Sequence, residues 1–171
     1  MRKCVFLDRD GVLNRDKVDY VYKREDVKIL DGVPEALKLL KENGYLLIVI
    51  TNQSGIDKNV FNHKDVEETH DEIQKRVGGY IDEFYYSPYH RDISNSLSAK
   101  PNSLLFEKAI SKYGIDTSVS WMIGDRVRDL IPAQKLHIKG ILLDSEYPDK
   151  DTYSGNFSKS LIDAVKEYIL T

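Results

Sequence analysis

The stretch Phe6-Leu7-Asp8-Arg9-Asp10-Gly11-Val12-Leu13-Asn14 sets an apolar run against two carboxylates one residue apart and follows them with a glycine. A short apolar run that stops at turn residues reads as a buried strand. Successive strand side chains point in opposite directions, so Asp8 and Asp10 reach one site only if the chain follows a defined path past the strand end; Gly11 permits such a turn. Taken alone, Asp-x-Asp-Gly is equally readable as a strand-terminating turn with solvated acids.

The same kind of apolar run recurs at 46–50, 84–86, 121–123 and 141–143, with the first covering 3–7. Most lack strict alternation, which suits strands covered on both faces. Between them lie helical patterns. Val33, Leu37 and Leu40 recur at helical spacing, Pro34 sits near the start and Gly44 supplies the stop; further helices are predicted over 63–77, 102–113, 127–136 and 158–169. This β-α-β-α alternation predicts an α/β fold: one doubly wound, Rossmann-like parallel sheet of about five strands with helices on both faces, forming a single domain over 1–171. No repeat, Gly/Ser linker or low-complexity tract divides the chain. The loops at 14–30, 87–100 and 144–157 are long for such a fold, and each follows a predicted strand, where doubly wound sheets bind ligands.

A chain of 171 residues is long enough for one substantial core. Lys plus Arg total 25 against 28 Asp plus Glu, and the net charge of -3 provides no basic field for nucleic acid, which is therefore not favoured as a partner. Cys4 is the only cysteine, so neither an internal disulfide nor a Cys-rich zinc cluster can form, and a reducing cytoplasm suits the chain. The apolar run after Met1-Arg2-Lys3 stops at Asp8, too short for a signal-peptide core or a membrane span. The expectation is a soluble, unprocessed cytoplasmic protein.

A second carboxylate pair stands in Ile123-Gly124-Asp125-Arg126-Val127-Arg128-Asp129-Leu130, again after an apolar run. Asp125 and Asp129 are four apart and share one face of the first helical turn. Helix capping and dipole complementation account for acids there equally well, but they do not account for two strand ends alike. If the strands are neighbours, Asp8, Asp10 and Asp125 form an oxygen-rich cluster that needs a cation, and hard oxygen ligands without Cys or convergent His favour magnesium. Thr51-Asn52-Gln53-Ser54-Gly55 closes the second strand with a hydroxyl and backbone N–H groups suited to phosphate oxygens, or else forms a plain polar turn. Lys100-Pro101 ends a long loop where a helix starts; alone it reads as a surface lysine.

In this order, the motifs resemble the haloacid dehalogenase-like superfamily of phosphotransferases. The likeness is greater still to its capless D,D-heptose 1,7-bisphosphate and histidinol-phosphate phosphatases, through Asp8-Arg9-Asp10-Gly11-Val12-Leu13-Asn14, Thr51-Asn52-Gln53-Ser54-Gly55-Ile56 and Gly124-Asp125-Arg126. Gly32-Val33-Pro34 and Ser160-Leu161-Ile162-Asp163-Ala164-Val165 extend it over almost the whole chain. The resemblance implies a magnesium-dependent phosphomonoesterase of carbohydrate metabolism, a monomer acting on a sugar phosphate or similar small metabolite. It implies that Asp8 attacks phosphorus to give an aspartyl-phosphate, and that Asp10 protonates the leaving oxygen and then takes a proton from water. By the same resemblance the Asp8 carboxylate, the Asp10 carbonyl and Asp125 hold magnesium with Asp129 behind them, while Thr51 and Lys100 neutralise the transferring phosphoryl group. Asn14, Thr51, Asn52, Gln53, Lys100 and Arg126 are the candidate substrate contacts.

The chain also departs from that branch. Where many members hold zinc with Cys-x-His and Cys-x-Cys, this sequence has Ser87, His90, Ser96 and Ser98, so zinc is not expected; His90 is read as a loop histidine, and packing of Tyr85, Tyr86 and Tyr89 is expected to order the loop. Ala99 replaces the arginine before the lysine, and Asp57-Lys58-Asn59 replaces Ala-Arg-Gly, which removes an arginine fork. Neither 14–46 nor 55–86 has room for a separate cap domain, so an open site is expected. Competing readings are a polynucleotide 3′-phosphatase, disfavoured by the acidic balance, a decayed binding or regulatory module, and a response-regulator receiver, disfavoured by the first-strand pair. Cys4 and Trp121 are read as strand packing, and His63, His70 and His137 as surface groups.

Overall fold

All of β1 (Cys4–Leu7) and the first six residues of β2 (Leu46–Asn52) are buried, as strands covered on both faces must be. The computed structural model describes residues 1–17 and 19–171. Its sheet continues with β3 (Glu83–Ser87), β4 (Trp121–Gly124), β5 (Lys139–Leu143) and β6 (Asn156–Ser158) in the order β3-β2-β1-β4-β5-β6, every neighbouring pair parallel. The sheet therefore has six strands where the sequence pattern predicts about five. The extra strand, β6, is three residues long with one apolar side chain, too little for a periodicity signal, and lies at the end of a stretch read as loop.

The helices are α1 (Val33–Glu42), α2 (His63–Arg76), α3 (Leu104–Tyr113), α4 (Val127–Lys135) and α5 (Leu161–Ala164), the last running on as a π-turn over Val165–Ile169. Side-chain alternation along the strands builds two cores. Val5, Leu7, Leu47, Val49 and Ile123 pack against Leu37 and Leu40 of α1, Ile73 of α2 and Leu161 of α5. Cys4, Phe6, Ile48, Ile50 and Met122 face Leu105, Phe106 and Ala109 of α3 and Leu130 and Ala133 of α4. The Phe6 and Phe106 rings meet at 5.2 Å, and such a pair contributes roughly 1 kcal/mol beyond its buried area. Cys4 and Trp121 pack within the strands as expected.

His70 is a correction to the surface reading. It is buried on the inner face of α2, stacked 4.5 Å from the Phe84 ring. Burial, with Arg9 adding repulsion, lowers its pKa to about 3, so the ring stays neutral. Helical spacing places position 70 beside Val66 and Ile73 on the apolar face, and that periodicity was the available signal.

β1 lies between β2 and β4, so the strand order reverses there, and Leu7 is in register with both Val49 and Ile123. A crevice opens at the carboxyl ends of strands flanking such a reversal. Among the described residues no helix is long and apolar enough to cross a membrane.

Candidate active site

Asp8 leaves β1 with its N–H still donating to Ile123 O at 2.9 Å, so the pairing of β1 with β4 fixes the carboxylate's starting point. Asp8 Oδ1 accepts from the Arg9 N–H at 2.7 Å and lies 3.0 Å from Lys100 Nζ. The chain then turns at Gly11, which has φ of +79°, and a Cβ there would overlap the Asp125 carboxylate. Glycine is required twice over, for the left-handed backbone and for the approach of β4's acid.

Asp125 follows β4 directly, and Asp129 sits in the first turn of α4, where its Oδ2 accepts the Arg126 N–H at 3.1 Å in a capping arrangement. Gly124 makes room for the Asp129 side chain, since a Cβ would overlap it. The carboxylates of Asp8, Asp125 and Asp129 converge, with one oxygen from each within 4.8 Å of the others, and all three residues are buried. Capping and convergence are thus both true of Asp129.

Lys100 is the counter-charge. Its Nζ lies 3.0 Å from Asp8 Oδ1 and 2.8 Å from Asp129 Oδ1, and it donates to Ile50 O at 2.8 Å. Its backbone is clamped by the Asn52 amide, which accepts the Lys100 N–H at 2.9 Å and donates to Lys100 O at 3.1 Å. Burial works against the ammonium charge, but the Asp129 and Asp8 carboxylates outweigh it and hold the pKa above its ordinary value. The lysine is a built-in cation, not the surface group its local sequence suggests.

One ammonium does not neutralise three buried carboxylates. Burial raises the Asp125 carboxyl to about 8, with repulsion from Asp8 and Asp129 adding to it. Burial likewise raises Asp8 to about 6, with Lys100 opposing and Asp129 and Asp10 reinforcing. The Asp125 side chain accepts no hydrogen bond from a described residue, and the opposing charge of Lys100 is outweighed by burial and by the neighbouring carboxylates. An all-oxygen, over-anionic cluster of this kind fits a hard divalent cation.

Asp10 is held apart from the cluster. Its carboxylate receives Arg9 Nη2 at 2.9 and 3.0 Å, Asn14 Nδ2 at 2.9 Å and Gln53 Nε2 at 3.0 Å. Gln53 also donates to Thr51 Oγ1 at 3.0 Å, so Thr51 and Asp10 are fixed by one amide. Of the residues that sequence reasoning placed at the site, Asp8, Asp125, Asp129 and Lys100 form one ionic centre. Asp10, Asn14, Thr51 and Gln53 form a hydrogen-bonded group beside it, and Asn52 clamps the lysine. Arg126 lies to one side, its guanidinium 3.9 Å from the Tyr147 ring centre. Sequence reasoning passed over Arg9, whose fully buried guanidinium is anchored on Val21 O at 2.7 Å. A cation between two acids in Asp8-Arg9-Asp10 was the signal for it.

The 87–100 loop is ordered differently from expectation. Ser98 Oγ lies 2.8 Å from Ser87 Oγ and 2.9 Å from Ser96 Oγ, so the hydroxyls bond to one another. The His90 N–H donates to Asp57 at 2.9 Å, tying this loop to the one after β2. Of the three tyrosines expected to order this loop, Tyr85 packs against the second core and Tyr86 against His63 and His70, while Tyr89 is exposed.

The comparisons with known proteins agree with this geometry. The model of the haloacid dehalogenase-like hydrolases matches residues 4–137. The D-glycero-beta-D-manno-heptose-1,7-bisphosphate 7-phosphatase of Helicobacter pylori is 35% identical over 171 residues, 96% of this chain and 98% of the relative. The enzyme of the same name from Haemophilus ducreyi is 35% identical over 147 residues, 81% and 80% of the two chains. In fold, the chain is similar to the D,D-heptose 1,7-bisphosphate phosphatase from B. bronchiseptica, a structure complexed with magnesium and phosphate, with a TM-score of 0.90 at 22% identity over 98% of each chain. Buried acids at two adjacent strand ends, a clamped lysine between them and matches over most of the length lead to one assignment: the chain belongs to the haloacid dehalogenase-like hydrolase family, as a phosphatase.

Proposed function

We propose that the chain is a magnesium-dependent phosphomonoesterase acting through an aspartyl-phosphate on Asp8, with a sugar phosphate resembling heptose 1,7-bisphosphate as substrate. The observation that carries this reading is the convergence of Asp8, Asp125 and Asp129 around one buried lysine at the switch point of the sheet. The names of the relatives support the substrate class.

In this reading the Asp8 carboxylate attacks phosphorus, a P–O bond forms to Asp8, and the bond to the leaving oxygen breaks. Asp10, held by Arg9, Asn14 and Gln53, gives the leaving oxygen its proton, then removes one from the water that attacks phosphorus and frees Asp8. Lys100 offsets the charge of nucleophile and phosphoryl group, and Thr51 with the N–H groups after it holds phosphoryl oxygens. Asp8, Asp125 and the Asp10 carbonyl would hold magnesium with Asp129 behind them, and the cation supplies charge neutralisation between the anionic nucleophile and the anionic ester. Asn52 acts through Lys100, and Asn14 and Gln53 act through Asp10, in addition to any contact with substrate. Residues 1–171 work as one catalytic domain, a cytoplasmic monomer, with neither nucleic acid nor zinc required.

The test is phosphate release from a panel of phosphomonoesters with and without magnesium. Release that requires the cation and favours sugar phosphates upholds the reading. Release favouring 3′-phosphorylated oligonucleotides transfers the substrate assignment, and no release from any ester removes the enzymatic reading.

A further inference from the structure

The stretch between β5 and β6 takes no part in the chemistry above, yet several of its side chains reach the segment that presents Asp125. The Ser145 hydroxyl donates to the Asp125 carbonyl at 2.8 Å, and Asp149 Oδ2 accepts the Val127 N–H at 3.2 Å. Between them the Tyr147 ring carries the Arg126 guanidinium at 3.9 Å, and Arg126 Nε stands 4.0 Å from Asp149 Oδ2. At its other end the Tyr147 hydroxyl donates to Asp16, on the loop that follows the nucleophile. One side chain therefore joins Arg126, the residue after the β4 acid, to the loop after β1. It also forms part of the wall of a cavity of about 880 Å³ that reaches Gly11 and Asp125.

No described residue donates to the Asp125 carboxylate, so its place is set by the backbone at 125–127; Ser145 and Asp149 bond to that backbone, and Tyr147 holds the Arg126 side chain that projects from it. We propose that Tyr147 is a positioning residue with two separable effects: its ring, under Arg126, holds Asp125 in place for the divalent cation, and its hydroxyl moors the loop after β1 over the substrate. This rests on the reading of the acidic cluster as a magnesium site. The hydroxyl is suited to a constant mooring, because burial and the bond to Asp16 raise its pKa to about 12 and keep it a donor at ordinary pH.

The two effects separate by substitution. Thermal unfolding of the purified protein is followed as magnesium is titrated, without substrate, and steady-state hydrolysis of the preferred ester is measured at saturating magnesium. Tyr147→Ala is expected to raise the magnesium concentration for half-maximal stabilisation about 10-fold, in line with the loss of a supporting partner. Tyr147→Phe, which keeps the ring, is expected to leave that concentration unchanged while raising KM several-fold at constant kcat, and Asp16→Ala is expected to match it. Ser145→Ala provides a milder version of the first effect should Tyr147→Ala fold poorly. Tyr147→Ala and Ser145→Ala proteins that melt lower but keep the wild-type magnesium midpoint would show a merely structural role and overturn the proposal. So would Tyr147→Phe binding magnesium as weakly as Tyr147→Ala, which would place the effect on the hydroxyl. Wild-type protein that hydrolyses esters but does not respond to magnesium overturns the proposal and the metal reading together, whereas a normal magnesium response without hydrolysis overturns only the catalytic reading.

Discussion

The two sides of the site are built from different interactions. On the side of β2 and β3 the contacts are neutral or amide-mediated: Asn52 clamps the Lys100 backbone, Gln53 joins Thr51 to Asp10, and Ser87, Ser96 and Ser98 bond to one another. On the side of β4 and β5 they are ionic, with Asp125 and Asp129 buried, Arg126 over Tyr147 and Lys150 on Asp144 at 2.9 Å. Lys100 crosses from the first side to the second. A site that must hold an anionic ester beside an anionic nucleophile gains by keeping free carboxylates away from the ester and gathering them where a cation neutralises them. The asymmetry is thus the division of labour itself.

The sharpest way to break this comparison is at the atom both sides serve. Asp8→Asn is expected to cut turnover by on the order of 10⁴-fold with the fold retained, measured as initial rates beside circular dichroism. Lys100→Met removes the bridge, and a rate loss on the order of 10²–10³-fold is expected, as for a lost charge-stabilising donor. An unchanged rate would contradict its place between Asp8 and Asp129. On the ionic side alone, Asp125→Asn is expected to weaken magnesium binding by more than about 100-fold in calorimetric titration, beyond what outer partners cost. On the neutral side, Asn52→Ala is expected to leave magnesium affinity intact and to cost about 1 kcal/mol of stability in denaturant unfolding, with a several-fold rate loss. Equal effects on metal affinity from Asn52→Ala and Asp125→Asn would erase the distinction.

Acidity gives the smallest effect and the one with a definite sign. Asp8 at about 6 and Asp125 at about 8 lie above the ordinary carboxylate value of 3.8, so folding takes up protons between those limits. Their contribution to stability is full at low pH and is lost as pH rises through about 8. Without divalent cations the melting temperature should therefore fall over this range, and the gain on adding magnesium should grow. Asp125→Asn should flatten the slope, and a wild-type slope of opposite sign would contradict the electrostatics described here.

Much of this was legible in the sequence because the deciding acids stand at strand ends. Once Phe6 to Asp8 and Trp121 to Asp125 read as strand followed by carboxylate, a parallel sheet that sets those strands side by side makes the cluster follow. Four ordered motifs then carried the likeness to the family. What stayed hidden depends on through-space contacts that no spacing encodes. The sequence offered Asn14 and Gln53 as substrate contacts and held no sign that their amides converge on Asp10 from two separate loops. His70 looked exposed because helices rich in charge bury few residues, and it falls on the narrow face that does. Tyr147 lay in a loop with no motif, and β6 in a segment too short and too polar to register.

The account stands on Asp8 as the covalent nucleophile. Wild-type protein turning over its preferred phosphomonoester is quenched in acid and reduced with borohydride, which converts an aspartyl-phosphate to homoserine, and the peptide spanning position 8 is analysed by mass spectrometry. The account predicts homoserine at position 8, dependent on both substrate and magnesium. Continued phosphate release with unmodified aspartate at position 8, or with the modification on another carboxylate, would contradict it.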